Sequence, residues 1–330
     1  MTSLIYLPID EVTGTPVDLN RAADFLELSA FFSSDNVVLT SDLANGVSIG
    51  AEGNGTESGV EKAQDEEELV GDTVNLINER QRTLDASYPF QLDRDGDILR
   101  LVAVNGSLGR AAYILCLILS NLESASAVLT DSDLHPDDAE VRKLRQYFQY
   151  FATAALAAEI GGKAWSFGFP RPDSSSFLDK LREIWGDVRD GRVEQQEGSP
   201  EQPKDDKLDV IAVRPHKDKL PGFLFAVAQV ATGRNSREKS LKGHIDAFKG
   251  RWFATRPETI FIPYMIVPFA VEHSQFIDDV RVMGNVLHRL RVPIRVAEAE
   301  HLVNTGTIIE GYELLTEVLE WLEDYRNRFV

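Results

Sequence analysis

From residue 136 onward, apolar positions follow first a helical and then a strand-like spacing. Apolar residues recur every three or four positions between 141 and 155, which predicts one buried face of a helix. Pro136 suits the first turn of that helix, and the Gly161-Gly162 pair is typical of its end.

Shorter apolar runs then predict strands that are separated by helical patterns. The strands are KAWSFGF (163–169), LDVIAVR (208–214), GFLFAVAQVA (222–231), ETIFIPYMIVP (258–268) and VPIRVAE (292–298). The helical patterns cover 175–188, about 236–250, 275–290 and the end of the chain from 309. The linker PHKDKLPG contains Pro and Gly and favours a hairpin between the second and third strands. The order helix, three strands, helix, strand predicts an α/β fold with a mixed sheet flanked by helices.

The first 130 residues have a different pattern, which predicts a mostly helical N-terminal region. An acidic insert rich in Gly, Ser and Glu, at about 46–68, favours a flexible loop. The DRDGD stretch at 93–97 lacks the glycine and glutamate positions of a calcium loop, so it predicts a turn between short extended segments. We therefore predict an N-terminal region over 1–130 and a second domain over 131–330.

Composition and charge narrow the class of protein. The chain has 43% hydrophobic and 26% charged residues, and its longest apolar runs are shorter than the ~20 residues that span a bilayer, so we expect no membrane association. With a single cysteine, Cys116, and no recognisable leader, we expect a cytoplasmic protein.

Charge is distributed unevenly along the chain. The net charge is −19, which argues against nonspecific coating of nucleic acid. Residues 51–75 hold eight acids and one base, whereas residues 204–256 hold twelve bases and six acids. The second segment could be a phosphate-binding face or an ordinary mixed surface.

Three polar residues interrupt or follow the predicted strands. Asp209 lies in the second strand and Gln229 near the end of the third, so a hairpin would bring them together at one sheet edge. Lys239 follows in the next predicted helix. Each also has a structural interpretation, since Asp can cap a loop, Gln can satisfy backbone groups at a sheet edge and Lys can be solvated.

In this arrangement the chain resembles the PD-(D/E)XK nuclease superfamily, whose fold is the restriction-endonuclease-like fold. KDDKLDVIAV is similar to the strand that carries the superfamily's Asp, and FAVAQVATGRNSREK resembles a divergent third strand. GKAWSFGFPR, AQVATG and RWFATRPETIFIPYMIVP are similar to segments of bacterial proteins of this kind from genome-defence loci. The resemblance covers about residues 140–270, and Gln229 replaces its second acid while the lysine moves into the helix as Lys239.

The resemblance implies a metal site and a phosphodiester substrate. Asp209 and Gln229 would hold Mg²⁺, with Mn²⁺ as an alternative, and Lys239 would complete the catalytic set. Glu159 would be the helix acid, although Gln149 fits that superfamily position better by its distance from the glycine pair. Basic residues near the site would bind DNA: Arg234, Arg237, Lys242, Lys249 and Arg251.

The first functional hypothesis is therefore a metal-dependent DNA endonuclease that acts as an effector of an anti-phage or restriction system. The second is a catalytically degenerate subunit of the same fold that binds DNA or a partner protein. An unrelated nucleotide-binding fold is disfavoured because no Gly-rich loop follows the first strand of the sheet. We expect a protein partner from the same system, and leave association of the chain with itself open.

Overall fold

The computed structural model describes residues 5, 7–8, 18–44, 59–123, 127–130, 132–201, 203–218, 220–233, 235–271 and 273–330. The chain is a mixed α/β protein that divides into two compact units. The first unit comprises Met1–Arg142 and Glu317–Val330, and the second comprises Lys143–Thr316. This division differs from the predicted boundary near 130, because residues 132–142 and residues 317–330 also belong to the first unit.

Within the described residues the helices are, in chain order, α1 (Leu19–Phe31), α2 (Gly59–Leu84), α3 (Leu108–Ser120), α4 (Asp138–Ile160), α5 (Phe177–Val188), α6 (Ile245–Trp252), α7 (His273–Met283), α8 (Val292–Asn304) and α9 (Leu315–Asn327). The strands are β1 (Val37–Leu39), β2 (Phe90–Leu92), β3 (Ile98–Leu101), β4 (Lys163–Ser166), β5 (Arg192–Val193), β6 (Val210–Arg214), β7 (Leu224–Val230), β8 (Phe253–Thr255), β9 (Phe261–Ile266) and β10 (Asn285–Leu287). None of the helices in these ranges is both long and apolar enough to cross a membrane.

The first unit combines its helices with a small antiparallel sheet of order β1-β3-β2. The predicted turn between short extended segments at 93–97 is confirmed, since it joins β2 to β3. The Asp93 Oδ1 atom accepts hydrogen bonds from the Asp97 and Ile98 N–H groups, and Gly96 has a φ of 81°, which suits a residue without Cβ.

Only part of the predicted flexible insert at 46–68 lies within the described residues. Residues 46–58 lie outside the described residues. Residues 59–68 form the start of α2 rather than a loop. Glu is a good helix former, so the acidic run EKAQDEEEL is compatible with helix despite its low hydrophobicity.

A buried charged cluster joins the helices of the first unit. Arg80, on α2, is fully buried, and its Nη1 atom lies 2.7 Å from Glu27 Oε1 and 3.0 Å from Asp24 Oδ1 on α1. The Tyr88 and Tyr113 hydroxyl groups donate to the Glu27 carboxylate at 2.7 and 2.8 Å. Each buried charge therefore has a partner of opposite sign and further hydrogen bonds.

The second unit is built on a five-stranded mixed sheet of order β10-β9-β7-β6-β4. Strands β4, β6 and β7 are antiparallel neighbours, whereas β7, β9 and β10 are parallel. Antiparallel β6 and β7 form the predicted hairpin, and α6 lies in the crossover between β7 and β9. The mixed sheet with flanking helices is thus confirmed.

Aromatic packing holds the helices α5 and α6 against this sheet. The Phe225 and Phe261 rings stack at 4.3 Å between centroids, and Trp185 of α5 lies 5.4 Å from Phe225. Trp252 of α6 is fully buried 4.6 Å from Phe177. Such rings bury the largest area of any side chains and so fix the helices on the sheet.

Three predicted elements of the second unit are wrong. Residues 236–250 are a 3-10 turn at Ser236–Lys239 followed by α6, rather than one helix. The predicted helix 275–290 ends at Met283, because Gly284 adopts a φ of 88° and β10 follows. The predicted strand 292–298 is the start of α8, where Pro293 lies in the first turn. Short apolar runs do not distinguish a buried helix from a strand.

We expect Arg80→Met to destabilise the first unit by about 3 kcal/mol or more, because it leaves two buried carboxylates without their cation. Arg82→Met is the matched control: its side chain lies on the same helix but is exposed, so we expect a change within about 0.5 kcal/mol. Urea unfolding followed by circular dichroism measures both. Equal stability of the two variants would show that the buried cluster is not the constraint that we infer.

Candidate functional site

The backbone of Asp209 is held between two strands at the start of β6. Its N–H donates to the Ala228 carbonyl at 2.8 Å, and its own carbonyl accepts from the Phe167 and Gly168 N–H groups, both at 2.8 Å. Its side-chain Oδ2 atom accepts from the Val230 N–H at 2.7 Å. One carboxylate oxygen is therefore fixed by the end of β7, and Oδ1 is left facing the segment after β4.

Gly168 leaves open the space that Asp209 Oδ1 faces. A Cβ atom on Gly168 would lie 2.6 Å from Asp209 Oδ1, and 2.8 and 2.9 Å from the amide nitrogen and oxygen of Gln149. The Gln149 amide is held by donating to Ser166 Oγ at 2.7 Å and to the Gly168 carbonyl at 3.2 Å. A carboxylate oxygen and an amide therefore face one small space that a side chain at 168 would fill.

Gln229 contributes a second amide. With its nitrogen turned to the backbone carbonyls of Lys239 and Lys207, it donates to them at 2.6 and 3.3 Å. The Gln229 side chain also interacts with the Asp209 carboxyl group.

Burial and neighbouring charged groups shift the pKa of Asp209. Burial raises the pKa of Asp209 to about 7, and the neighbouring Asp205 carboxylate adds to the rise. The Val230 N–H and the Lys239 ammonium lower the pKa of Asp209 without cancelling the effect of burial. A carboxyl with this pKa exchanges its proton near neutral pH and can give it up to a cation.

The turn before Asp209 is strained. Asp206 and Lys207 have φ angles of 45° and 70°, values that non-glycine residues seldom adopt. Asp206 is anchored there by Trp252 Nε1 at 2.7 Å, Arg251 Nη1 at 2.9 Å and His244 Nε2 at 3.1 Å. These contacts hold the turn that carries the Lys207 carbonyl and the Asp205 carboxylate.

The oxygen atoms at the candidate site are of the kind that bind a hard cation, but only one of the side chains that carry them is negatively charged. Asp209 Oδ1 is a carboxylate oxygen and the two glutamines offer amide oxygens, which are ligands that Mg²⁺ accepts. Within the described ranges, no group of three or more His, Cys, Asp or Glu residues is placed to hold a metal ion. A divalent cation at this point would need waters and substrate oxygens to complete its shell.

Glu159, the predicted helix acid, lies elsewhere on α4. It forms an ion pair with Arg295 at 2.6 Å and accepts a hydrogen bond from the Tyr264 hydroxyl at 3.4 Å. Ten residues of helix separate it from Gln149, which corresponds to about 15 Å along the axis. Gln149, the alternative to Glu159, is the α4 residue that lies beside Asp209.

Lys249 and Arg251, two of the predicted DNA-binding residues, have partners within the protein. Lys249 donates to the carbonyls of Pro257 and Thr259 at 3.0 and 2.9 Å, and lies 4.1 Å from the centroid of Phe261. Burial lowers the pKa of Lys249. We therefore assign Lys249 to the packing of α6, while Arg251 anchors Asp206.

The other basic candidates lie after β7. Arg237 is half-exposed and donates to Asp279 at 2.6 Å, and Lys242 donates to the Arg281 carbonyl at 3.0 Å. Both remain accessible to solvent. Arg234 lies outside the described residues.

No local sequence pattern indicates the residues that support Gln149. Ser166 receives the Gln149 hydrogen bond on its Oγ atom, and its N–H donates to Glu310 Oε2 at 2.9 Å. Glu310 Oε1 is paired at 2.6 Å with the buried Lys180, which also contacts Asp173 at 2.8 Å. Burial raises the pKa of Asp173, but the hydrogen bonds from Lys180 and Ser175 outweigh it and bring that pKa to about 2.

In comparisons with protein-family models, with curated proteins and with solved structures, the chain has no significant match.

We expect Asp209→Asn to be more stable than the wild type at pH 8, by on the order of 3 kcal/mol. Below about pH 4 the carboxyl is protonated in the folded and the unfolded chain alike. As the pH rises to 7, the unfolded chain loses this proton first, so the raised pKa of Asp209 disfavours folding. The gain from Asn should therefore shrink towards pH 4.

Urea unfolding at several pH values without added metal measures this difference. Asp187→Asn is the control, because Asp187 is an exposed carboxylate of the same unit. A stability difference for Asp209→Asn that does not change between pH 4 and pH 8 would contradict the assignment.

Proposed function

We propose that the second unit is a restriction-endonuclease-like domain that hydrolyses DNA phosphodiester bonds with a divalent metal ion. The observation that carries the proposal is the convergence of Asp209 Oδ1 and the Gln149 amide on the space left by Gly168. The strand order supports it too, since the antiparallel strands β4, β6 and β7 follow α4 and a parallel strand, β9, follows α6. That is the order which the PD-(D/E)XK resemblance implies.

In this proposal Asp209 Oδ1 and the amide oxygens of Gln149 and Gln229 hold Mg²⁺ or Mn²⁺. Such an ion, when bound, polarises the scissile phosphate and lowers the pKa of a bound water. The Val230 N–H fixes the other oxygen of Asp209, so the carboxylate keeps one orientation. Lys239, whose ammonium lowers the pKa of Asp209, would offset negative charge on the phosphate.

Proton release couples this chemistry to pH. Because Asp209 has a pKa of about 7, binding of the metal must displace a proton at neutral pH. Metal affinity and cutting should therefore rise between pH 6 and pH 8. The DNA phosphates add the negative charge that a site with a single carboxylate lacks.

A second function has its own supporting observation. The site has one carboxylate where the superfamily has two or more, which favours a subunit that binds DNA or a partner protein without cutting. In either case the resemblance to proteins of genome-defence loci suggests an effector or accessory part of an anti-phage system, acting with a protein partner.

Plasmid cleavage separates these two functions. We expect the chain to cut with Mg²⁺ or Mn²⁺ and not with EDTA, and we expect Asp209→Asn and Lys239→Ala each to lower the rate by about 100-fold or more. Lys217→Ala is the control for removal of a positive charge, because Lys217 is exposed in the β6–β7 loop. No cutting in any metal, with DNA binding retained, would favour the binding subunit; cutting by Asp209→Asn at the wild-type rate would refute the proposed site.

Gly168→Ala tests the space at the site without removing any polar group. Its Cβ would lie under 3 Å from Asp209 Oδ1 and from the Gln149 amide, so we expect about 100-fold slower cutting and weaker Mn²⁺ binding. Gly186→Ala on α5 is the matched control, because no heavy atom lies within 4 Å of the added Cβ. Titration calorimetry with Mn²⁺ and the plasmid assay measure the two effects. Wild-type behaviour of Gly168→Ala in both assays would contradict the proposal.

A further inference from the structure

Phe169 presents a large aromatic ring to solvent directly beside the candidate site. The side chain is 57% exposed, whereas its neighbours Phe167 and Gly168 are buried. Gly168 is the residue whose missing Cβ leaves the space in front of Asp209. Adjacent Cα atoms are ~3.8 Å apart, so Phe169 begins at the rim of that space.

The segment that carries Phe169 is held on both sides. The N–H groups of Phe167 and Gly168 donate to the Asp209 carbonyl, each at 2.8 Å. On the other side, the buried Arg171 lies 5.0 Å from the Phe167 ring centroid and donates to the Ser175 carbonyl at 3.2 Å and to the Lys204 carbonyl. A rigid aromatic ring loses little conformational entropy when it binds a ligand.

A lysine ammonium group lies close to the exposed Phe169 ring. The Lys204 Nζ atom lies 5.6 Å from the Phe169 centroid, and Lys204 is exposed. Because Arg171 ties the Lys204 backbone to the Phe169 segment, the Lys204 side chain starts close to the ring. An aromatic ring with a neighbouring cation offers a stacking surface for a base and a contact for its phosphate.

We propose that Phe169 stacks on an unpaired base of the DNA strand to be cut, and that Lys204 binds a phosphate of the same strand. This inference rests on the proposed function and specifies its substrate class: single-stranded or locally unpaired DNA. In an intact duplex the faces of the bases are stacked on one another, so a flat ring at the surface gains contact only where a base is exposed. Phe169 would thus select the substrate, while Asp209 and Lys239 act at the phosphate.

Binding in EDTA tests this inference apart from cutting. Fluorescence anisotropy compares a single-stranded DNA of about twenty nucleotides with a blunt duplex of the same length. We expect Phe169→Ala to weaken single-strand binding by about 5- to 100-fold, which corresponds to the loss of one base stack, and to change duplex binding by less than about two-fold. Phe169→Trp should keep single-strand binding, since it retains an aromatic face.

A control variant and a fluorescent base show whether an effect of Phe169→Ala is due to stacking of the Phe169 ring on a base. Leu220→Ala is the control, because Leu220 is an exposed apolar side chain of the same unit, 61% accessible, in the β6–β7 loop. A 2-aminopurine base in the single strand should be quenched by the wild type and less by Phe169→Ala. Unchanged single-strand binding by Phe169→Ala, or an equal loss for the duplex, would overturn the inference while metal-dependent cutting through Asp209 still supported the nuclease. Absence of both DNA binding and cutting in the wild type would count against the two proposals together.

Discussion

The candidate site of the second unit depends on one constraint, the partly buried carboxyl group of Asp209. Burial of a carboxylate costs free energy unless hydrogen bonds or a cation compensate it. Here the Val230 N–H satisfies one oxygen, and the pKa near 7 shows that the compensation is incomplete. A group left in this state is suited to bind a cation, whereas a residue with only a structural role would gain from full pairing.

Arg80 in the first unit shows the contrasting case. It is more deeply buried than Asp209, but two carboxylates face it, and tyrosine hydroxyl groups satisfy the oxygens of Glu27. The charges of that cluster balance within the protein, because Arg21 supplies a second cation 3.9 Å from Asp24 Oδ2. At the candidate site, the Asp205 carboxylate opposes ionisation of Asp209 and the Lys239 ammonium favours it. In both clusters a buried charge needs a partner of opposite sign. Arg80 has such partners within the protein, whereas the charge of Asp209 is only partly compensated.

A chain of contacts behind the site determines which amide reaches it. Lys180 fixes Glu310, Glu310 binds the Ser166 N–H, and Ser166 accepts from Gln149. Because Lys180 is buried among carboxylates, this chain resists rotation of the Gln149 side chain. The same end of the sheet supports the segment 167–171, so the position of Phe169 and that of Asp209 depend on shared backbone hydrogen bonds.

The sequence by itself determined the strands β4, β6, β7 and β9 and the β6–β7 hairpin, because apolar runs and a hairpin turn are local signals. It did not determine that Gln149 rather than Glu159 lies beside Asp209, or that Lys249 is enclosed by carbonyls. Those placements depend on residues more than a hundred positions away, such as Glu310, and on packing around α6.

Likewise, β10 and α8 were exchanged in the prediction because short apolar runs fit either element, and only pairing with β9 decides between them. Local spacing specifies which segments are buried, whereas the tertiary structure decides which polar side chains meet, since that depends on contacts that no local pattern encodes.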